Sequence, residues 1–148
     1  MALRLPRQGD ISGAIAAFQR SLELGNAKAA FNLGIIYEEE GETEAAIDAY
    51  KQGVAVGEGH CAFNLGVLLT QQGRIDDAIH AYERGIEIGE GGSAFNMALI
   101  HLDLGDIESA IVAMRKAMEL GFEHTEGDLR EFIAELEFEL DAEESTGT

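Results

Sequence analysis

Ala30-Phe31-Asn32-Leu33-Gly34 returns as Ala62-Phe63-Asn64-Leu65-Gly66 and again as Ala94-Phe95-Asn96-Met97-Ala98, each time after 32 residues. A second motif keeps the same period. Ala14-Ile15, Ala46-Ile47, Ala78-Ile79 and Ala110-Ile111 are each followed by an aromatic or long apolar residue: Phe18, Tyr50, Tyr82 and Met114. Self-similarity at a fixed period of this length specifies a stacked solenoid, in which each unit buries its apolar face only against its neighbours.

The apolar spacing inside a unit resolves it further. Ala30, Leu33, Gly34 and Tyr37 recur at three- and four-residue steps, the mark of a helix. Gly41 interrupts, and Ala45, Ala46, Ala49, Tyr50, Gly53 and Val54 open a second helical stripe that Gly57 closes in the manner of a left-handed cap. Equivalent glycines stand at Gly9, Gly41, Gly73 and Gly105 between helices, and at Gly25, Gly57, Gly89 and Gly121 between units. Each unit therefore reads as a helical hairpin, and the chain as an all-α α/α solenoid without strands. The expected helices are 12–24, 27–40, 43–56, 59–72, 75–88, 91–104 and 107–120. The chain divides into a half repeat at 9–26, full repeats at 27–58, 59–90 and 91–122, a capping helix at 123–142 and a frayed tail at 143–148.

The two ends differ. Pro6 would break a helix ahead of the half repeat, which leaves the N-terminal face poorly covered. Two expectations follow: this face docks onto another copy, giving a homo-oligomer, or the chain is a piece of a longer array. At the other end Thr125 and Asp128 have the spacing of a weak capping box. Leu129, Phe132, Ile133, Leu136 and Leu140 form one apolar stripe opposite Glu131, Glu135 and Glu139, as a solvating terminal helix requires.

These motifs resemble the tetratricopeptide repeat. Its order of Leu-Gly, Tyr three positions on, then Ala with an aromatic four later is matched by Leu33-Gly34-Ile35-Ile36-Tyr37 and Ala46…Tyr50. Small residues fall where that family needs close helix approach: Gly34, Gly66 and Ala98 on first helices, Ala14, Ala46, Ala78 and Ala110 on second ones. The likeness spans roughly residues 9–122. The repeat is two residues shorter than the family's usual length, and its first-helix Trp is replaced by Ala30, Ala62 and Ala94. The stretch from Gly25 to Gly34 is equally similar to the Sel-one-like repeat, a sister solenoid.

The resemblance implies a right-handed superhelix, an interaction scaffold rather than an enzyme, and an inner wall built from first helices that binds a peptide or protein segment. The matching groove rows are Lys28/His60/Gly92, Phe31/Phe63/Phe95, Asn32/Asn64/Asn96, Ile35/Val67/Leu99, Glu38/Thr70/Leu102 and Glu39/Gln71/Asp103. The peptide-binding candidates are Asn32, Asn64, Asn96, Lys28, Ile35, Val67, Leu99, Glu39, Gln71 and Asp103. Asparagine amides can donate to and accept from an extended backbone, but they can equally bridge neighbouring helices. The phenylalanine row is as readily core as ligand surface. Family members that hold a chaperone's terminal carboxylate do so with lysines and arginines at set groove positions; the corresponding residues here are Phe31, Ile35, Asn64, Gly92 and Asn96, four of which fail that pattern, which argues against such a ligand.

Composition narrows the partners. The formal net charge is -18, and ten acids against Arg130 alone lie between Glu123 and Thr148. A surface this acidic repels phosphates, so neither nucleic acid nor an anionic membrane is expected to bind. The first residues contain no apolar signal core, and a single cysteine, Cys61, suits a reducing compartment. The expected location is cytoplasmic. An alternative class is the regulatory or targeting portion of a larger enzyme.

Chemistry has little support in the pattern. No nucleophile elbow, phosphate loop or His-Glu-x-x-His motif occurs. His60, His80, His101 and His124 share no ligand spacing, and His101 stands in the slot of Tyr37. Cys61 follows His60, and adjacent helical side chains point about 100° apart. Neither catalytic residues, nor a metal, nor a cofactor is expected. The acidic run Glu38 to Glu44 reads as a solvated face. Arg20, Arg84 and Lys116 each precede an acid by three residues, as surface ion pairs worth about 0.2–0.5 kcal/mol do.

Overall fold

Seven glycines sixteen residues apart, from Gly25 to Gly121, all take a left-handed backbone with φ between 73° and 99°. At each one the helix ends in the same way. The Gly41 N–H bonds to the Glu38 carbonyl (3.0 Å) and the Glu42 N–H to the Tyr37 carbonyl (2.8 Å); the Gly57 N–H bonds to Val54 (3.0 Å) and the Glu58 N–H to Gly53 (2.9 Å). This paired closure satisfies the last carbonyls of a helix and turns the chain sharply, at a conformation that costs glycine least. Turns within and between units are thus identical.

The computed structural model describes residues 8–122 and 126–147. They form α1 (Gln8–Glu23), α2 (Ala27–Glu39), α3 (Thr43–Ala55), α4 (Gly59–Gln71), α5 (Ile75–Ile88), α6 (Gly91–Asp103), α7 (Ile107–Glu119) and α8 (Glu126–Thr146), with no strand among the described residues. The first helices begin at side-chain caps. Asn26 accepts from the Lys28 N–H (3.2 Å), Glu58 from the His60 N–H (3.2 Å), and Glu90 from the N–H groups of Gly92 (3.0 Å) and Ser93 (2.6 Å). Carboxylates there also complement the positive end of the helix dipole.

Small residues set the distance between helices. A Cβ on Gly34 would fall inside the ring of Tyr50, and one on Gly66 inside the ring of Tyr82. In the third unit the glycine has become Ala98 and the tyrosine Met114, both fully buried: a slightly larger residue faces a slimmer one. A second set joins one unit to the next, where Gly53 lies against Cys61 and Gly85 against Ser93.

The stack bends because the two layers pack differently. α2 touches α4 and α4 touches α6, whereas successive second helices make no comparable contact. First helices therefore form a closed inner wall. Second helices splay outward, leaving furrows floored by the helix between them.

The ends differ from the expectation in detail. α1 starts at Gln8 and runs straight through Gly9, which is helical and not a left-handed turn. The other interruption glycines each terminate a helix, and no helix precedes Gly9 among the described residues. At the far end α8 continues to Thr146, so Glu143–Thr146 extend the helix instead of fraying; the Ser145 hydroxyl donates to the Asp141 carbonyl (2.9 Å). Thr125, expected as its cap, lies outside the described residues. Leu129, Ile133 and Leu136 are buried on α8, the latter two in one cluster with Ile111 and Met114 of α7. Arg130 stands where Gly34, Gly66 and Ala98 accept a second helix. A long charged side chain thus replaces the small residue of the other units.

Three outcomes test this packing. Gly66→Leu should cost about 3 kcal/mol by overpacking against Tyr82, and Gly57→Ala, with open space around it, about 1–2 kcal/mol from backbone strain alone. Gly66→Ala should be largely rescued by Tyr82→Met, which copies the Ala98–Met114 pair; additive losses in a urea double-mutant cycle would refute the coupling. Deleting residues 124–148 should uncover Ile111 and Met114 and cause aggregation, read by light scattering. A truncated chain that stays monomeric with unchanged melting would make α8 an independent appendage.

Candidate protein-binding surfaces

The groove rows separate into those that pack and those that stay open. The phenylalanines seal the seams between first helices. Phe31 meets His60 with ring centroids 6.0 Å apart, and Phe95 stacks on Phe122 at 4.9 Å. Phe63 lies 6.5 Å from the Tyr82 ring and close over Gly92, where a Cβ would come within 3.1 Å of its ring. Phe31 and Phe63 also rest on the main core cluster. All three are half-buried.

Two of the three asparagines bridge helices. Asn64 Nδ2 donates to the Tyr50 hydroxyl (3.3 Å), which itself donates to Glu38 Oε1 (2.6 Å), so one relay ties α4, α3 and α2. Asn96 Nδ2 donates to the Tyr82 hydroxyl (3.2 Å), whose other neighbour is Thr70. Burial raises both phenols above the ordinary tyrosine value, and the bond to Glu38 raises Tyr50 further. Asn32 differs. The residue fourteen places before it is Phe18, which has no hydroxyl, and Asn32 makes no such bond. In the third unit the relay is replaced by apolar Leu102 and Met114, both in the α7–α8 core.

Ile35, Val67 and Leu99 run unbroken along the inner wall, half-buried in the first two units and 40% exposed at Leu99. Lys28, Glu39, Gln71 and Asp103 are exposed around them. The candidate residues are thus brought onto one wall, but Asn64 and Asn96 each spend an amide N–H on a tyrosine.

The remaining candidates for chemistry have structural places. Cys61 is fully buried against Gly53, and burial pushes its thiol up to about 12. His101 Nδ1 lies 4.0 Å from Asp106, whose carboxyl is held below its usual range by the bonds it accepts from Ser109 at the start of α7. No group of three His, Cys, Asp or Glu is placed to hold a metal among the described residues. Within the acidic run, Glu38 serves the relay and Glu44 pairs with Arg74. Arg84–Glu87 (2.6 Å) and Lys116–Glu119 (3.4 Å) form the expected pairs, while Arg115 instead reaches Glu137 on α8.

The outer furrows were not anticipated from the repeat pattern. The furrow between α1 and α3 encloses about 780 Å³ above Leu33 and Tyr37. Its counterpart between α3 and α5, above Leu65 and Leu69, encloses about 260 Å³, and that between α7 and α8 about 480 Å³.

Models of the tetratricopeptide repeat match residues 1–59, 60–88 and 92–121. The chain belongs to the tetratricopeptide repeat family. Such repeats are in general non-catalytic interaction modules, and the chain is a protein-interaction scaffold. A search of curated proteins finds no match. Among solved structures, a crystal structure of MamA shares the fold at a TM-score of 0.58 and 22% identity, covering 95% of this chain and 92% of that one. No described helix is long and apolar enough to cross a membrane.

The buried thiol gives a direct check on the packing of this tetratricopeptide solenoid. Cys61 should resist alkylation in the native state and react only through opening, at a rate that follows urea stability. Rapid labelling under native conditions would contradict its place against Gly53.

Proposed function

We propose that the inner wall grips an extended segment of a partner protein through the Ile35, Val67 and Leu99 row and the amide of Asn32. The observation that supports this most is the contrast within the asparagine row: Asn64 and Asn96 bond to tyrosines, while at Asn32 the matching earlier residue is Phe18, which has no hydroxyl. An amide with both donor and acceptor capacity, on the same helix as Ile35, suits a peptide backbone whose apolar side chains would rest on the aliphatic row. Lys28, Glu39, Gln71 and Asp103 would contact the flanks. The lone cysteine suits a cytoplasmic setting, and the net charge of -18 disfavours nucleic acid as the partner.

A second reading rests on α1. Ala14, Ile15 and Phe18 are only half-buried, although their equivalents Ala46, Ile47 and Tyr50 are buried completely. This apolar stripe would serve self-assembly through the N-terminal face. Sedimentation over a wide concentration range separates the readings, since a monomer throughout removes the second.

The asparagines test the first. Asn32→Ala should weaken partner binding about three- to tenfold, the value of one net hydrogen bond, with melting unchanged. Asn64→Ala and Asn96→Ala should lower stability by about 1 kcal/mol each and affect binding only through it. If Asn32→Ala left affinity intact, or all three substitutions behaved alike, the asparagine would leave the proposed site.

A further inference from the structure

We propose that the outer furrow between α1 and α3 is a second binding site, which takes an amphipathic partner segment carrying lysine or arginine beside its apolar side chains. The repeat supplies its own control, because the same furrow recurs between α3 and α5 with different residues. There Arg74 lies across the opening, its guanidinium 3.7 Å from Glu44 and 3.1 Å from Asp77. The corresponding residues of the first furrow are Glu42, Ser12 and Ala45, which cannot form this strap. The unstrapped furrow is also the larger, about 780 Å³ against about 260 Å³. The furrow between α7 and α8 has a strap of its own in Arg115–Glu137.

The lining specifies the occupant. Leu22, Leu33, Tyr37 and Val56 offer an apolar surface, and Val56 is 61% exposed. Glu23 and Asp48 stand on the rim, and none of the lining residues is basic, whereas the second furrow includes Lys51, Arg74 and Arg84. Acids beside a desolvated apolar floor favour cations, since removing water strengthens their attraction. A second copy of this chain, with a net charge of -18, brings few cations to such a rim. α1 has 16 residues, about 24 Å, so a helical segment of similar length can lie along it.

The test uses a synthetic amphipathic peptide of about that length, with leucines at helical spacing and lysines flanking them, and two versions with the lysines replaced by glutamine or glutamate. The lysine peptide should bind at least tenfold more tightly than the glutamine version and shift the methyl signals of Leu22, Leu33 and Val56. Glu23→Lys with Asp48→Lys should reduce affinity at least tenfold. Copying the strap, with Ser12→Glu, Glu42→Arg and Ala45→Asp, should abolish furrow shifts while leaving those at Ile35, Val67 and Leu99 unaffected. The exposed charge reversals keep the test decisive if the strapped variant folds poorly. Equal binding of all three peptides, full affinity in the charge-reversed variant, shifts on the inner row alone, or no furrow shifts at millimolar peptide would each overturn the proposal.

Discussion

The contact of a glycine with a tyrosine ring governs this molecule. At Gly34 and Gly66 the first helix of a hairpin has no side chain, and the ring of Tyr50 or Tyr82 from the second helix occupies the vacated space. Close-packed interiors tolerate neither a void nor an extra methylene at such a point. The exchange to Ala98 and Met114 in the third unit conserves volume instead of identity. The tyrosine does more than fill space. Its hydroxyl lies at the far end of the ring, where the next unit's asparagine reaches it, so the contact that closes one hairpin also registers the following one.

From this follow two unlike surfaces. Where first helices meet, phenylalanines and asparagines consume much of the residue variety on seams, and the open positions reduce to the aliphatic row and its polar margin. Where second helices diverge, the surface is broken into furrows whose depth depends on what spans them. Ion pairs on exposed surfaces contribute little to stability. Arg74 nevertheless reaches across one such gap, from α5 to Glu44 on α3.

Most of the fold was legible in the sequence because a period is robust to local error. The helical hairpins, their glycine stops and the apolar stripe of α8 all follow from spacing. The misread boundaries were those without a repeat to calibrate them: Gly9 resembles Gly41, Gly73 and Gly105 in register but lacks a helix to terminate, and the acidic composition after Asp141 conceals a helix that continues to Thr146. The site was less legible. A row of asparagines at constant spacing suggests a row of equal roles, yet the partner of each lies fourteen residues earlier, and Phe18 in place of tyrosine separates Asn32 from Asn64 and Asn96. That signal was present but required pairing two motifs. The furrows depend on residues such as Arg74, Ser12 and Ala45 that sit outside the repeated motif, so the motif contained no information about them.

The tyrosine–asparagine relay joins α3 to α4 and α5 to α6, the two central seams, and is missing from both terminal seams, where Phe18 and Met114 stand in the tyrosine's place. In a one-dimensional stack, stability is the sum of units and nearest-neighbour couplings. Couplings strongest at the centre make the array open from its ends inward, with amide protons of α4 and α5 the slowest to exchange. α1 then belongs to the segment of lowest local stability. Anything clasped between α1 and α3 would work against that opening, so occupancy there and order at the start of the chain are thermodynamically the same event.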